Sequence, residues 1–236
     1  IQPANAAAAN LLGVARAGQG DLPAARDAFQ RATELAPAWA QARYNLARAQ
    51  LALDEPAAAR RSLERAVALE PGYVNALLLS TQLAVREGRL DDAEAALEAL
   101  RAAAPDAPVT AMAAGAVRLA QDRPREAKAA YQAALDATGA RSAVFGVYAA
   151  ARAAGEPDFA ALLVEWLEAN PGDAGARLLL AEASHSGDDP AGAIAQYEAI
   201  LAVEPDNVVA LNNVAVLYQE AGDPRAVETA EKAYAL

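Results

Sequence analysis

The sequence contains no cysteine and only one histidine among its 236 residues. The absence of cysteine excludes disulfide frameworks, thiolate nucleophiles and cysteine-ligated zinc or iron–sulfur sites. A single histidine excludes every site that needs two imidazoles, including that of the HExxH metalloproteases. From these two absences we expect neither a bound metal ion nor a cofactor.

Long apolar runs and basic side chains are also scarce. No stretch approaches the roughly 18 apolar residues that a membrane span needs, so we expect no direct insertion into a membrane. Lys and Arg number 20 against 31 Asp and Glu, which gives a formal net charge of −11. Because binding to a phosphate backbone depends on clustered Lys and Arg, this acidic balance argues against a nucleic-acid partner.

Alanine supplies more than half of the 55% hydrophobic content, while aromatic residues make up only 5%. Alanine is the best helix former and fills a core poorly. The composition therefore predicts a helical chain that packs through close contacts between small residues.

Prolines divide the chain at a constant interval of 34 residues. A glycine takes the place of one proline, and the spacing shows that one repeat has lost two residues within 155–165. The breakers of this series are Pro3, Pro37, Pro71, Pro105, Gly139, Pro171 and Pro205. A second series follows Gly or Asp near the middle of six repeats, where one helix ends and proline opens the next. Its members are Pro23, Pro56, Pro124, Pro157, Pro190 and Pro224, and the third repeat has Gly88-Arg89-Leu90-Asp91 at that place.

The segments between the breakers have the spacing of amphipathic helices. Apolar residues recur at i, i+3, i+4, i+7 and i+10 in the stretch 25–35, which predicts one apolar stripe on a helix. The repeating unit is therefore a helix–turn–helix hairpin. Small residues such as Ala25 and Ala193 are predicted where the two helices cross, and large ones such as Tyr197 fill the space opposite.

This pattern resembles the tetratricopeptide repeat, whose signature joins a Leu-Gly pair, an A-x3-F step and a closing proline. In the first complete repeat those positions are held by Leu12-Gly13, Ala25, Phe29 and Pro37. The resemblance covers almost the whole chain and implies an all-α, right-handed α-solenoid of about seven hairpins in a single array, residues 1–236. The predicted repeats are 6–39, 40–73, 74–107, 108–141, 142–173, 174–207 and an incomplete one at 208–236.

In such a stack the first helices line a concave face, and the resemblance implies that this face binds a protein or peptide. By register, the predicted groove residues are Asn10, Tyr44, Arg48, Asn75, Gln82, Arg86, Met112, Glu182, His185, Asn212 and Gln219. Asn45 and Asn213 are expected at its margin. A half-polar face is also what any solvent-facing surface looks like, and this alternative stays open.

No catalytic residue is predicted, and we expect the chain not to be an enzyme. His185 lies beside Ser184 and near Asp188, but neighbours on one helix do not face each other. Paired carboxylates such as Asp188-Asp189 favour helix capping over a cation site, because calcium loops need several oxygen ligands at fixed alternating spacing.

The function predicted from these features is a non-enzymatic scaffold for protein–protein interaction within a multiprotein assembly or a secretion or export system. Two alternatives are the non-catalytic arm of a larger enzyme, such as a glycosyltransferase or sulfotransferase, and a self-assembling array. The absence of a capping helix indicates a piece of a longer array, whose exposed apolar ends allow self-association. Residues 207–226 resemble bacterial repeat lipoproteins associated with exopolysaccharide and PEP-CTERM sorting, which implies a periplasmic or outer-membrane location over a cytoplasmic one.

Overall fold

The computed structural model describes residues 3–236, and every regular element in that range is an α-helix. The all-α prediction is confirmed. The chain divides into two compact units, residues 1–138 and residues 139–236, which we call unit 1 and unit 2.

Each unit is a series of helical hairpins. We call the first helix of a hairpin its A helix and the second its B helix. Unit 1 has four hairpins: α1 Pro3–Gly18 with α2 Leu22–Leu35, α3 Ala40–Ala52 with α4 Pro56–Leu69, α5 Val74–Arg86 with α6 Leu90–Ala103, and α7 Pro108–Ala120 with α8 Pro124–Thr138. Unit 2 has three: α9 Arg141–Ala153 with α10 Ala161–Ala169, α11 Ala174–Ser186 with α12 Pro190–Leu201, and α13 Val208–Ala221 with α14 Arg225–Ala235.

Most helices begin close to the proline and glycine breakers of the sequence. Five A helices, those of α3, α5, α7, α11 and α13, begin at the first residue of a predicted repeat. Pro56 and Pro190 open B helices in their first turn, where the missing N–H costs no hydrogen bond. Asp189, expected to cap a helix, accepts a hydrogen bond from the backbone N–H of Gly192. The organisation of all seven hairpins as one array stays a prediction.

Helix α10 is short, and it lies in the repeat that was predicted to have lost two residues. It has 9 residues, whereas the other helices have 11 to 16, and turn residues 154–160 precede it. Only Leu163 and Leu167 of α10 are buried. The loss therefore falls on the first turn of a B helix and leaves the A helix α9 at its full length.

Two hairpins of unit 1 close through a glycine on the A helix that faces an aromatic ring 16 positions later on the B helix. A Cβ atom added to Gly13 would lie 2.6 Å from the ring of Phe29, and one added to Gly115 would lie 2.6 Å from the ring of Tyr131. The crossing positions are buried in every case that the sequence predicted: Gly13, Ala25, Ala32, Ala47, Ala59, Ala66, Ala93, Ala127, Ala181 and Ala193. Gly115 belongs to the same class.

We expect the cost of enlarging Gly115 to rise steeply with side-chain size. Ala181 faces Tyr197 at the same spacing in unit 2, so a Tyr ring can make room for one methyl group. Gly115→Ala should therefore lower the free energy of unfolding by about 1 kcal/mol or less, whereas Gly115→Val should lower it by about 3 kcal/mol. Urea titration followed by circular dichroism measures both values.

Gly18 supplies the matched control, because nothing lies within 4 Å of a Cβ added there. Gly18→Val should change the unfolding midpoint far less than Gly115→Val. Equal losses at the two glycines would contradict the packing role assigned to Gly115.

Candidate partner-binding faces

The A helices of each unit present one side to solvent, and we call these surfaces the A face of unit 1 and the A face of unit 2. All eleven predicted groove residues are exposed or half-buried, and none is buried. Seven lie in unit 1 and four in unit 2. Those of unit 1 are Asn10, Tyr44, Arg48, Asn75, Gln82, Arg86 and Met112; those of unit 2 are Glu182, His185, Asn212 and Gln219. Their role in binding stays a prediction.

Two asparagines join neighbouring A helices on the A face of unit 1. The Asn45 side-chain amide donates a hydrogen bond to Asn10 Oδ1 at 2.9 Å. Asn45 is only 9% exposed, so its expected place at the groove margin is wrong. The side chain of Asn45 lies between α3, which carries it, and α1, and it is nearly closed off from solvent because its amide is hydrogen-bonded to Asn10 on α1.

An aromatic cluster lies beside these asparagines. The rings of Tyr44 and Tyr73 meet edge to face with centroids 5.4 Å apart, and the Arg48 guanidinium lies 5.8 Å from the Tyr44 ring centroid. Burial, together with the neighbouring Tyr44, raises the pKa of Tyr73. Tyr44 and Arg48 therefore form one amphipathic patch, while Gln82 and Arg86 are exposed on α5.

The A face of unit 2 has a different make-up. Glu182 accepts a hydrogen bond from Arg152 at 2.9 Å, which ties α11 to α9. His185, Asn212 and Gln219 are exposed, and none has a side-chain hydrogen bond to another residue of the range 3–236. Glu182 is thus already paired, and the other three side chains remain available to a partner.

A cleft of about 610 Å³ opens between α9 and α11, at residues that the sequence reasoning missed. Its lining is mostly apolar and consists of Phe145, Tyr148, Ala149, Arg152, Ala153 and Leu179. Tyr148 is buried and its hydroxyl donates to the Leu179 carbonyl at 3.3 Å. The signal was present in the sequence, because Phe145 and Ala149 occupy the same register in α9 as Tyr44 and Arg48 in α3. The lost residues of this repeat had obscured that register.

The A helices of unit 2 are fixed by a carboxylate with four hydrogen bonds. Asp173 caps α11 by accepting from the Ala176 N–H, and it accepts from Trp166 Nε1 at 2.8 Å. Arg141 donates to both of its oxygens, at 2.6 and 2.7 Å. The bonds from Arg141, with those from the other donors, hold the pKa of Asp173 well below its usual range. The Asp173 side chain is only 9% exposed, so the group is a structural centre and not a site for ligand.

A second fixed carboxylate joins two hairpins of unit 1. Glu94 on α6 accepts hydrogen bonds from Arg118 on α7 and, at 2.9 Å, from the side chain of Gln121. The hydrogen bond from Arg118 is the main cause that lowers the pKa of Glu94 to about 2. The Arg118 side chain is 12% exposed and the Glu94 side chain is 32% exposed, so the guanidinium is the more shielded member of the pair.

A larger cleft, of about 680 Å³, lies between the B helices α4 and α6 over α5. Its two arginines, Arg60 and Arg89, both reach Glu87, at 3.7 and 2.7 Å. Because these charges are satisfied within the chain, the cleft offers a partner fewer free polar groups than the A faces do.

Two kinds of site are not found in the described part of the chain. Within residues 3–236 there is no cluster of three His, Asp or Glu side chains that could hold a metal ion. Within the same range, no helix combines the length and apolar character that a bilayer crossing requires.

Comparison with known proteins agrees with this geometry. Residues 2–41 and residues 51–116 match two family models, each described as a tetratricopeptide repeat. The chain is a tetratricopeptide-repeat protein. No curated protein matches its sequence, and the resemblance to PEP-CTERM-associated lipoproteins remains a prediction.

Solved structures share this tetratricopeptide-repeat fold. A tetratricopeptide repeat protein from Parabacteroides merdae is 16% identical with a TM-score of 0.77, over 98% of this chain and 93% of that one. Pseudomonas aeruginosa pilF is 19% identical with a TM-score of 0.66, over 92% and 96%. A chain of the APC/C hetero-tetramer Cut9–Hcn1 is 18% identical with a TM-score of 0.72, and this protein spans only 43% of its length. At these identities the likeness establishes the solenoid fold alone.

Proposed function

We propose that this repeat protein is a non-enzymatic interaction scaffold that binds a peptide or protein segment along its A faces. The observation that carries the proposal is the composition of those faces. They combine exposed hydrogen-bonding groups, such as Arg48 and Gln82, with half-buried apolar side chains and the open cleft at Phe145. Polar groups that bond backbone atoms, next to shallow apolar sites, suit an extended segment.

The fold neighbours support this general role. One of them is a chain of a hetero-tetramer, and its fold matches that of this chain with a TM-score of 0.72. We propose by analogy that this chain serves in a multiprotein assembly or an export system. No catalytic role is assigned to His185, because it is exposed and the carboxylate one turn earlier, Glu182, is bonded to Arg152.

Affinity capture followed by mass spectrometry tests the proposal with two paired substitutions, one on each face. Tyr44→Ala with Arg48→Ala removes the amphipathic patch of unit 1, and Phe145→Ala with Arg152→Ala removes the cleft wall of unit 2. We expect at least one pair to lower recovery of the captured partner about tenfold, because the partner loses both apolar and charged contacts. The melting temperature should change little.

Arg61 and Arg65 provide the control, because both are exposed on the B helix α4. Replacing these two with Ala should leave recovery unchanged. Full recovery of every partner by both A-face variants would show that binding takes place elsewhere on the protein.

A further inference from the structure

Charge is distributed unevenly between the helices of unit 1. The four A helices carry five arginines and no Asp or Glu at all. These arginines are Arg16, Arg43, Arg48, Arg86 and Arg118. All 16 Asp and Glu residues of the unit lie on B helices or in turns. The unit as a whole has 15 Lys and Arg residues, so its positive and negative charges nearly balance. The A-helix layer of this acidic protein is therefore positive.

Two of the five arginines are free to meet a partner. Arg16 lies near Asp21 at 3.8 Å, Arg118 is bonded to Glu94, and Arg43 is half-buried. Arg48 and Arg86 are exposed, and neither forms an ion pair with any residue that the structure describes. Both belong to the A face of unit 1.

Two carboxylates in the turns that follow these arginines are engaged elsewhere, and Asp54, which is nearest to Arg48 along the chain, forms no ion pair with it. Glu55 accepts a hydrogen bond from Arg26 at 2.8 Å, and Glu87 accepts one from Arg89 at 2.7 Å. Both donors lie on the side of the B helices. The charge of Arg48 and Arg86 is consequently left uncompensated by the turns next to them.

The spacing of the two arginines suits an extended chain. Arg48 is the ninth residue of α3 and Arg86 is the thirteenth of α5, and the two helices share one core cluster. Four helical residues advance about 6 Å along the axis. Helices α3 and α5 meet through side chains while their backbones stay apart, so their axes lie at or beyond the upper end of the usual range, about 10 Å or more. The two Cα atoms are then about 12 Å or more apart, which an extended segment covers in about three to four residues.

We propose that the A face of unit 1 binds an extended acidic segment, whose carboxylates about three to four residues apart pair with Arg48 and Arg86. The inference rests on the proposed function and names the chemistry of its partner. Apolar side chains between the carboxylates contact Tyr44 and Leu79, which are half-buried between α3 and α5. Arginine suits this role because its planar guanidinium bonds both oxygens of a carboxylate.

A nucleic acid fits the same surface less well. Its phosphates recur at every nucleotide and demand a continuous basic track. Here only two free arginines face solvent, and Asn75, Gln82 and Met112 occupy the positions between and beside them. The spacing of charge thus favours a protein segment in which acidic and apolar residues alternate.

Selection from a displayed library of random peptides, each about 12 residues long, tests the inference directly with the full chain as bait. We expect the selected peptides to be enriched in Asp and Glu at a spacing of about three to four residues. Parallel selections use two baits of equal charge, Arg48→Gln with Arg86→Gln, and the control Arg61→Gln with Arg65→Gln. The enrichment should vanish with the first bait and persist with the second.

Fluorescence anisotropy then measures the best selected peptide, synthesised with an amidated C-terminus so that only side-chain carboxylates count. The Arg48/Arg86 variant should bind about tenfold more weakly or worse, and the Arg61/Arg65 control within about twofold of the unmodified chain. Affinity should also fall as salt rises from about 50 mM to about 300 mM. The same peptide with every Asp and Glu replaced by Asn and Gln should not bind.

Three results would overturn the inference. The first is a selection that yields peptides without enrichment in Asp and Glu. The second is an equal loss of peptide affinity in the Arg48/Arg86 variant and in the Arg61/Arg65 control. The third is single-stranded DNA that binds the chain more tightly than the peptide does and stops binding when Arg48 and Arg86 are replaced. The proposed function fails by a different result, which is full recovery of every captured partner by both A-face variants. Peptides that lack acidic residues but are lost with Tyr44→Ala would leave the scaffold function intact while refuting its acidic partner.

Discussion

Replacing Asp173 with Asn should lower the free energy of unfolding of unit 2 by about 3 kcal/mol. The substitution removes the charge that Arg141 neutralises and turns one acceptor oxygen into an amide donor, which then faces Arg141 together with either the Ala176 N–H or the Trp166 N–H. Because the Asp173 side chain is almost fully enclosed, water cannot replace the lost bonds. The difference in the free energy of unfolding between the two proteins should shrink as pH falls. Folding lowers the pKa of Asp173, so only its ionised form stabilises unit 2, and that form is lost by protonation at low pH.

The chain offers a matched control and a local probe for this experiment. Asp189 caps α12 through Gly192 and forms no ion pair within residues 3–236, and Asn is an equally good cap, so Asp189→Asn should cost little. The two tryptophans are Trp39 in unit 1 and Trp166 in unit 2. A Trp39→Phe background therefore lets urea unfolding of unit 2 be followed by fluorescence. Similar losses for the two Asn variants would mean that only the capping bond matters.

Replacing Glu94 with Gln should destabilise unit 1 by about 2 kcal/mol near neutral pH, because Arg118 would lose its nearest counter-charge and keep only Glu126, at 3.9 Å. The effect depends on pH in a defined direction. The pKa of Glu94 falls from 4.5 to about 2 on folding, so its contribution is complete above about 4.5 and disappears as pH falls toward 2.

The pH dependence separates this group from the other carboxylates. The unmodified chain should lose stability between pH 4.5 and pH 2 more steeply than Glu94→Gln does, as measured by urea midpoints at a series of pH values. Glu98 is the control, because its side chain is 61% exposed and its pair with Arg101 lies at the surface. Glu98→Gln should keep the slope of the unmodified chain. An unchanged slope in Glu94→Gln would contradict the assignment.

The hairpins could be predicted from sequence because their determinants are local. Proline and Gly-Asp breakers mark the turns, and the apolar stripe of each helix lies within about 12 residues, so period and boundaries follow without knowledge of tertiary contacts. The same reasoning selected eleven groove residues that are all exposed or half-buried. It failed at Asn45, whose burial depends on a bond to Asn10 in a different repeat.

Contacts between distant residues could not be predicted. The Asp173–Arg141 pair joins residues 32 positions apart, and its register was hidden by the two-residue loss in that repeat. The cleft at Phe145 depends on the same register, and on how far α9 and α11 are separated by their side chains. The positive charge of the A helices in unit 1, by contrast, could have been predicted by counting their charged residues once the A and B helices of each hairpin had been assigned.

The short helix α10 also has a consequence for how the protein opens. In a repeat array, stability is close to a sum of each hairpin's own stability and its interfaces with its neighbours. The hairpin of α9 and α10 contributes a B helix with only two buried residues, preceded by seven residues outside any helix. Backbone amides of 154–169 should consequently exchange their hydrogens earlier than those of the hairpin of α11 and α12, through local opening that leaves that hairpin folded.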